Sequence, residues 1–329
     1  LAKFREVFLH LKDIRPWGIQ DRLHETGTLD SWREDIENFP DLPIRAEIEL
    51  WYRNSEGKRQ DADRLVTSLI EGIRGQVVSR YTLNEIAYHS ILAEFPLGAI
   101  EDIIENPSTE LVKCESIMFF RPAGQMSTGK PSVDDDLIDF EVEESQELPS
   151  GSPVVAILDG LPLANHSLLA DRLIIDDPDD FASNYTVADR VHGTAMSSLV
   201  VHGDLSNGKN PLPRPVYIRP IMNPRYWDND FQGEAIPENV LVVDLIHRAV
   251  RHIFEGDRSG EAAAPNIRII NLSIGDKARQ FTQSMSPLAR LLDWLSVKYG
   301  VLFVISAGNH PKNIDVGIPV DEFTKLEDC

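Results

Sequence analysis

Two cysteines in 329 residues, Cys114 and Cys329, are too few for a disulfide scaffold. The fold must be held by packing, and a reducing compartment, the cytoplasm, is the expected location. Basic residues are also scarce. Thirty-two Lys and Arg stand against 53 Asp and Glu, a formal charge of -21. A phosphate backbone needs a basic face, so no nucleic-acid partner is expected. No apolar run reaches the ~18 residues of a membrane-spanning helix, so no membrane partner is expected either. The chain starts at Leu1 rather than Met, and its natural N-terminus is expected to lie upstream.

What remains is ordinary globular composition, 42% hydrophobic, with length for about two domains of ~100–200 residues each. Residues 1–44 form an N-terminal extension. It opens on "FREVFLHLKDI", whose Phe4, Val7, Phe8 and Leu11 are spaced for a helix; no function attaches to it. Residues 45–122 read as a small α+β unit. "IRAEIELWYR" alternates as a strand. "DADRLVTSLIEGIRG" reads as a helix, with Asp61 as N-cap and Gly75 as its stop. "QVVSRYTLNEI" and "AYHSILAEF" read as strands, "PLGAIEDIIEN" as a helix and "ELVKCESIMFF" as a last strand. The order β-α-β-β-α-β is that of a ferredoxin-like domain. Residues 123–152 are an acidic linker containing "DDDLIDFEVEESQE", a run that stays solvated.

From residue 153 the pattern changes. "PVVAILD", "PVYIRPI", "IRIINLS" and "GVLFVIS" are continuous apolar runs, as expected of strands buried on both faces of a parallel sheet. Between them lie "HGTAMSSLVVHG", "PENVLVVDLIHRAVRHIFEG" and "SPLARLLDWLSVKYG", all expected helices. In the last, Ser286 is the N-cap, Pro287 the first helical residue and Gly300 the stop. The fold class is therefore α/β, a parallel sheet with helices on both faces. The segment 203–237 reads as an enlarged surface loop. Its Tyr226 and Trp227 fit either local packing or a partner contact.

The polar motifs fall at strand ends and helix starts, where open α/β sheets bind ligands. Asp159 ends the first run and His192 opens the helix after it. Asn271 and Ser273 end the third run, and Asn309 follows the fourth. An Asp that orients a His, and an Asn that donates to an oxyanion, suit acyl-transfer hydrolysis. Taken singly, each also fits a loop carboxylate, a helix start or a turn.

In order, "VVAILDG", "HGTAMSS", "INLSIG" and "ISAGN" resemble the motifs of subtilisin-like serine proteases over residues 153 to about 312. The resemblance implies a subtilisin-like protease domain over 153–329 and a serine endopeptidase acting on protein or peptide substrates. It matches Asp159 to the triad acid, His192 to the triad base and Asn309 to the oxyanion donor. Ser273, Ile274 and Gly275 match the strand that pairs with the substrate backbone. Residues 45–122 resemble the family's prodomain, and the alternative is an unrelated interaction domain. As a prodomain, it would bring "RPAGQMSTGK" near the substrate groove, with a processing site in the linker.

Two departures stand out. The family usually reads Asp-Ser/Thr-Gly, whereas here the glycine comes one place early, as Asp159-Gly160-Leu161. The family's calcium-binding Asp in a His-Pro-Asp-Leu stretch is missing from His166-Ser167-Leu168-Leu169. No metal or other cofactor is expected. No Gly-Thr-Ser motif follows Asn309, so the nucleophile is expected beyond residue 329. The alternative is an inactive pseudoprotease or a peptide- or partner-binding regulatory module. The acidity, the few cysteines and the N-terminal extension also resemble bacterial proteases encoded beside an AAA-class ATPase in antiphage defence. That resemblance implies an ATPase partner.

Overall fold

The computed structural model describes residues 15–123, 126–127, 147–205, 210–227, 230–256, 260–276 and 285–306. The helix expected in "FREVFLHLKDI", most of the acidic run and Asn309 lie outside the described residues.

The N-terminal unit begins with two helices, α1 (Ile19–His24) and α2 (Thr28–Asn38). Strand β1 (Ile44–Leu50) and helix α3 (Glu56–Gly72) follow, then β2 (Gln76–Leu83) and β3 (Tyr88–Phe95). Helices α4 (Leu97–Glu105) and α5 (Glu110–Lys113) lead into β4 (Ile117–Pro122). The strands form an antiparallel sheet in the order β2-β3-β1-β4, as split βαβ connectivity requires. One face of the sheet carries Ile48, Ile91, Phe95 and Phe120, packed with Trp32 of α2, Val66 and Ile70 of α3 and Ile100 of α4. Helices α1 and α2 thus share the core of the sheet.

Two local expectations are corrected. Helix α3 starts after Ser55, not Asp61, because its first turns, residues 56–60, are largely exposed and carry no apolar periodicity. It also stops earlier than Gly75. Arg74 takes the left-handed conformation at φ 62. Its N–H bonds to the carbonyl of Glu71, and that of Gly75 to Ile70. This is a Schellman ending with arginine where glycine usually sits. Gly75 is small for another reason: a Cβ there would lie 2.7 Å from the Phe95 ring and 2.9 Å from Ile70. The run "ELVKCESIMFF" is not one strand. The Thr109 hydroxyl accepts from the Val112 N–H, starting the short helix α5, and the strand begins at Ile117.

A two-residue strand, β5 (Met126–Ser127), precedes the second unit. There β6 (Val155–Asp159) and β7 (Leu173–Ile175) lead to helix α6 (Val191–His202) and β8 (Val216–Pro220). A hairpin of β9 (Asn223–Trp227) and β10 (Asp230–Ala235) precedes α7 (Val242–Glu255). The described chain ends with β11 (Ile269–Leu272), β12 (Gly275–Asp276), α8 (Pro287–Tyr299) and β13 (Leu302–Ile305). Five strands make a wholly parallel sheet, order β13-β11-β6-β8-β7. Along central strand β6, Ala156 and Leu158 face α7 and α8, while Ile157 faces Val201 of α6. Helices therefore cover both faces of the central strands, in keeping with their uninterrupted apolar runs, whereas the expected two-sided burial does not hold for edge strand β13, where Leu302, Val304 and Ile305 are exposed. Helix α8 has its expected ends. Ser286 Oγ accepts from the Ala289 N–H at 3.1 Å, and Gly300 is left-handed at φ 64.

The expected surface loop over 203–237 contains β8 and the hairpin. The hairpin joins a second sheet, order β12-β5-β10-β9. Tyr226 packs edge-on against Phe231 with ring centroids 6.0 Å apart. The second face of the N-terminal sheet lies on α7 and α8, where Leu83, Ile86 and Tyr88 enter the larger core. Glu49, fully buried on β1, is bridged by Arg121 and by Arg290 of α8.

The ending of α3 makes opposed predictions. Arg74→Gly should stabilise the protein by about 1 kcal/mol by relieving a left-handed side chain. Gly75→Ala should destabilise it by about 1–3 kcal/mol through overpacking. Urea denaturation of the two variants checks both signs.

Candidate active site

Asp159 is the last residue of central strand β6 and is 0% exposed. That strand end is where parallel sheets present ligands. His192 is the second residue of α6, which packs on β6 from one side. Its Nδ1 lies 2.7 Å from Asp159 Oδ1, which also accepts from the Gly160 N–H at 2.6 Å. An ionised carboxylate only accepts, so Nδ1 carries the proton and Nε2 is the basic nitrogen. The imidazole side chain remains 27% exposed, and among the described residues no hydroxyl bonds to Nε2.

The pair depends on how closely α6 approaches the end of β6. A Cβ on Gly193 would fall 2.3 Å from the Gly160 carbonyl oxygen, so only glycine permits this contact. Thr194 adds a second tie, its Oγ1 accepting from the Leu163 N–H at 2.8 Å. The glycine that comes one place early also has a physical reason. A Cβ on Gly160 would sit 1.7 Å from Glu234 Oε1. Glu234, on β10, is 0% exposed. Its Oε2 accepts the backbone N–H of His192 at 2.9 Å, and its Oε1 accepts the Tyr185 hydroxyl at 2.8 Å. Sequence reading missed Glu234. The one available signal was the missing side chain at Gly160, which implied a neighbour filling that space.

Of the other expected site residues, Ser273 Oγ bonds to Asn271 Oδ1 at 2.9 Å, in the turn after β11. Ile274 is 2% exposed, its side chain in the larger core. Gly275 opens β12 and pairs with Ser127 of β5, which pairs on its other side with Ala235 of β10. A two-residue strand thus lies between β12 and β10. The structure brings Asp159 and His192 together and pairs Gly275 with β5, while Ser273 and Ile274 lie in the turn before β12. Asn309 lies outside the described residues. Among the described residues, no group of three or more His, Cys, Asp or Glu is arranged to hold a metal ion.

A model of the subtilase family matches residues 150–321, more than half of the chain. The chain belongs to the subtilase family. No curated protein matches it. Membership supports serine peptidase activity, and the match spans both Asp159 and His192.

The electrostatics of this subtilase are unusual for the carboxylate behind the pair. Burial opposes the charged form of His192, but the hydrogen bond and charge of Asp159, with the charge of Glu234, outweigh it and raise its pKa. Burial pushes Glu234 up to about 7, and the charge of Asp159 adds to that. The hydrogen bonds from Tyr185 and the His192 N–H, with the His192 charge, pull the other way. Burial and Glu234 push the Tyr185 phenol far up, so it stays a neutral donor.

Two predictions arise here. The folded state holds the Glu234 proton more tightly than the unfolded chain, whose value is 4.5. The stability this adds is complete below about pH 4.5 and is lost as pH rises through about 7, by up to roughly 3 kcal/mol. His192 works in the same direction, losing its contribution as pH rises from 6.5 through its raised value. Glu234→Gln should therefore gain on the native protein between pH 5 and pH 8, read from urea midpoints; an unchanged difference would refute it. Separately, Gly160→Ala should cost about 1–3 kcal/mol. Most of that cost should vanish when Glu234→Ala is already present, giving a double-mutant coupling of ~1 kcal/mol or more.

Proposed function

We propose that this chain carries the acid–base half of a subtilisin-like serine endopeptidase. The observation that carries the reading is the 2.7 Å bond between His192 and buried Asp159 at the central strand end of a subtilase chain. In this reading a serine following residue 329 attacks the peptide carbonyl. His192 Nε2 takes the serine proton and returns it to the leaving amine. Asp159 holds the tautomer and stabilises the imidazolium. The Asn309 amide donates to the developing oxyanion. Substrate pairs by its backbone with Ser273, Ile274 and Gly275, as an added strand.

The N-terminal unit acts as a prodomain in the same reading. Two observations support it. Its sheet rests on α7 and α8 through a shared core and through the Glu49–Arg290 pair. Ser127, just past its last strand, pairs with both Gly275 and Ala235, so this chain's own backbone takes the position of a peptide. The acidic linker 123–152 then contains or adjoins the processing site.

The test uses the full-length protein and a fluorophosphonate probe. Labelling should fall on a serine beyond residue 329. His192→Ala should lower kcat by about 10⁶ and Asp159→Asn by about 10⁴–10⁵, magnitudes taken from subtilisin and its mechanistic relatives. Absent labelling, together with unchanged function in His192→Ala, would leave a partner-binding module as the better description.

A further inference from the structure

Glu234 is buried beside the acid–base pair, yet the mechanism above gives it no proton to carry. Three observations define what it does. First, the first-turn amides of a helix lack intrahelical acceptors, and a side chain usually supplies one. Helix α6 has Arg190 at its N-cap, which makes no side-chain cap bond. The acceptor for the His192 N–H comes instead from another strand, as Glu234 Oε2 at 2.9 Å. Second, the space for that carboxylate exists because residue 160 has no side chain. Third, Glu234 immediately precedes Ala235, the residue of β10 that pairs with Ser127. One side chain therefore joins the peptide-pairing edge to the helix turn that carries the imidazole.

We propose that Glu234 is a positioning residue, which caps α6 from β10 and couples the seating of His192 against Asp159 to the pairing edge at Ala235. The proposal rests on the acid–base reading of His192, but its consequences can be read without turnover. The groups that face the carboxylate are the Tyr185 hydroxyl, the Asp159 carboxylate at the end of β6, and the backbone and ring of His192. A negative charge here favours both the helix N-terminus and the imidazolium. The Glu234 charge raises the His192 pKa and the His192 charge lowers that of Glu234, so the protonation of each group bears on the other.

The experiment is an NMR titration of this chain carrying ¹⁵N-labelled histidine. The native protein should show a downfield Nδ1–H resonance for His192 and a protected His192 backbone amide. Glu234→Ala should weaken or abolish the downfield resonance and lower amide protection by about tenfold or more. Glu234→Gln keeps an acceptor for the amide, so protection should return, while the lost charge moves the imidazole pKa below the native value. A residue that only fills space would lower the melting temperature and move none of these signals. A folded Glu234→Ala protein with native imidazole pKa, downfield resonance and amide protection would overturn the proposal. Where Glu234→Ala does not fold, Glu234→Gln decides: an unchanged imidazole pKa overturns it. Fluorophosphonate labelling of the full-length protein is independent of these signals, so a failure of the protease reading is distinguishable from a failure of this one.

Discussion

The first turn of α6 rests directly on the carbonyl of Gly160, and the site depends on that close approach. The contact exists because residue 193 has no side chain to hold the two backbones apart. It brings His192 within hydrogen-bond reach of the carboxylate at the end of β6. Asp159 is fixed in turn by its place on the middle strand of a sheet covered on both faces. A small displacement at this contact would be felt at once, because a hydrogen bond weakens steeply with distance and angle. Tight backbone packing thus lies directly beside the Asp159–His192 pair.

Buried carboxylates are handled here in two ways. Glu49 is held between Arg121 and Arg290, so its charge is neutralised by ion pairs that also join the N-terminal sheet to α8. Breaking such a pair leaves a charge stranded in a poor solvent, which is far costlier than never having buried it. Glu234 is held by a phenol and a backbone amide instead. Neutral donors satisfy its oxygens without fully offsetting the desolvation of its charge, which leaves it poised near neutrality. The first arrangement fastens two units together. The second keeps a titratable group against a helix N-terminus, where its charge state matters.

Much of the architecture was legible because it follows from period and punctuation. The four apolar runs became four adjacent strands of the parallel sheet, β13, β11, β6 and β8, and α8 kept the ends that Ser286, Pro287 and Gly300 imply. The N-terminal unit took the strand order that its element order requires. Reading failed where the local signal was weak or ambiguous. Solvent-exposed turns extended α3 beyond its apolar stripe. Leu111 and Val112 are both buried, a pattern common to a strand and a short helix, and the Thr109 cap decided between them. Strand β7 is only three residues long and half exposed, which leaves little periodicity to detect.

The sequence by itself determined the family, the fold class and the Asp159–His192 pair, since each rests on residue types in a fixed order on recognisable elements. Only the tertiary structure decided what surrounds the pair. Glu234 lies 42 residues from the helix turn it caps, and no local rule relates the two. Its partner Gly160 signals in sequence only that space is left open, because an absent side chain does not say what occupies it. The docking of the N-terminal sheet on α7 and α8, and the seating of Ser127 between β10 and β12, are likewise long-range pairings. Short-range propensity sets the elements. Complementary shape and charge between distant segments set how they meet, and that is settled only when the chain is folded.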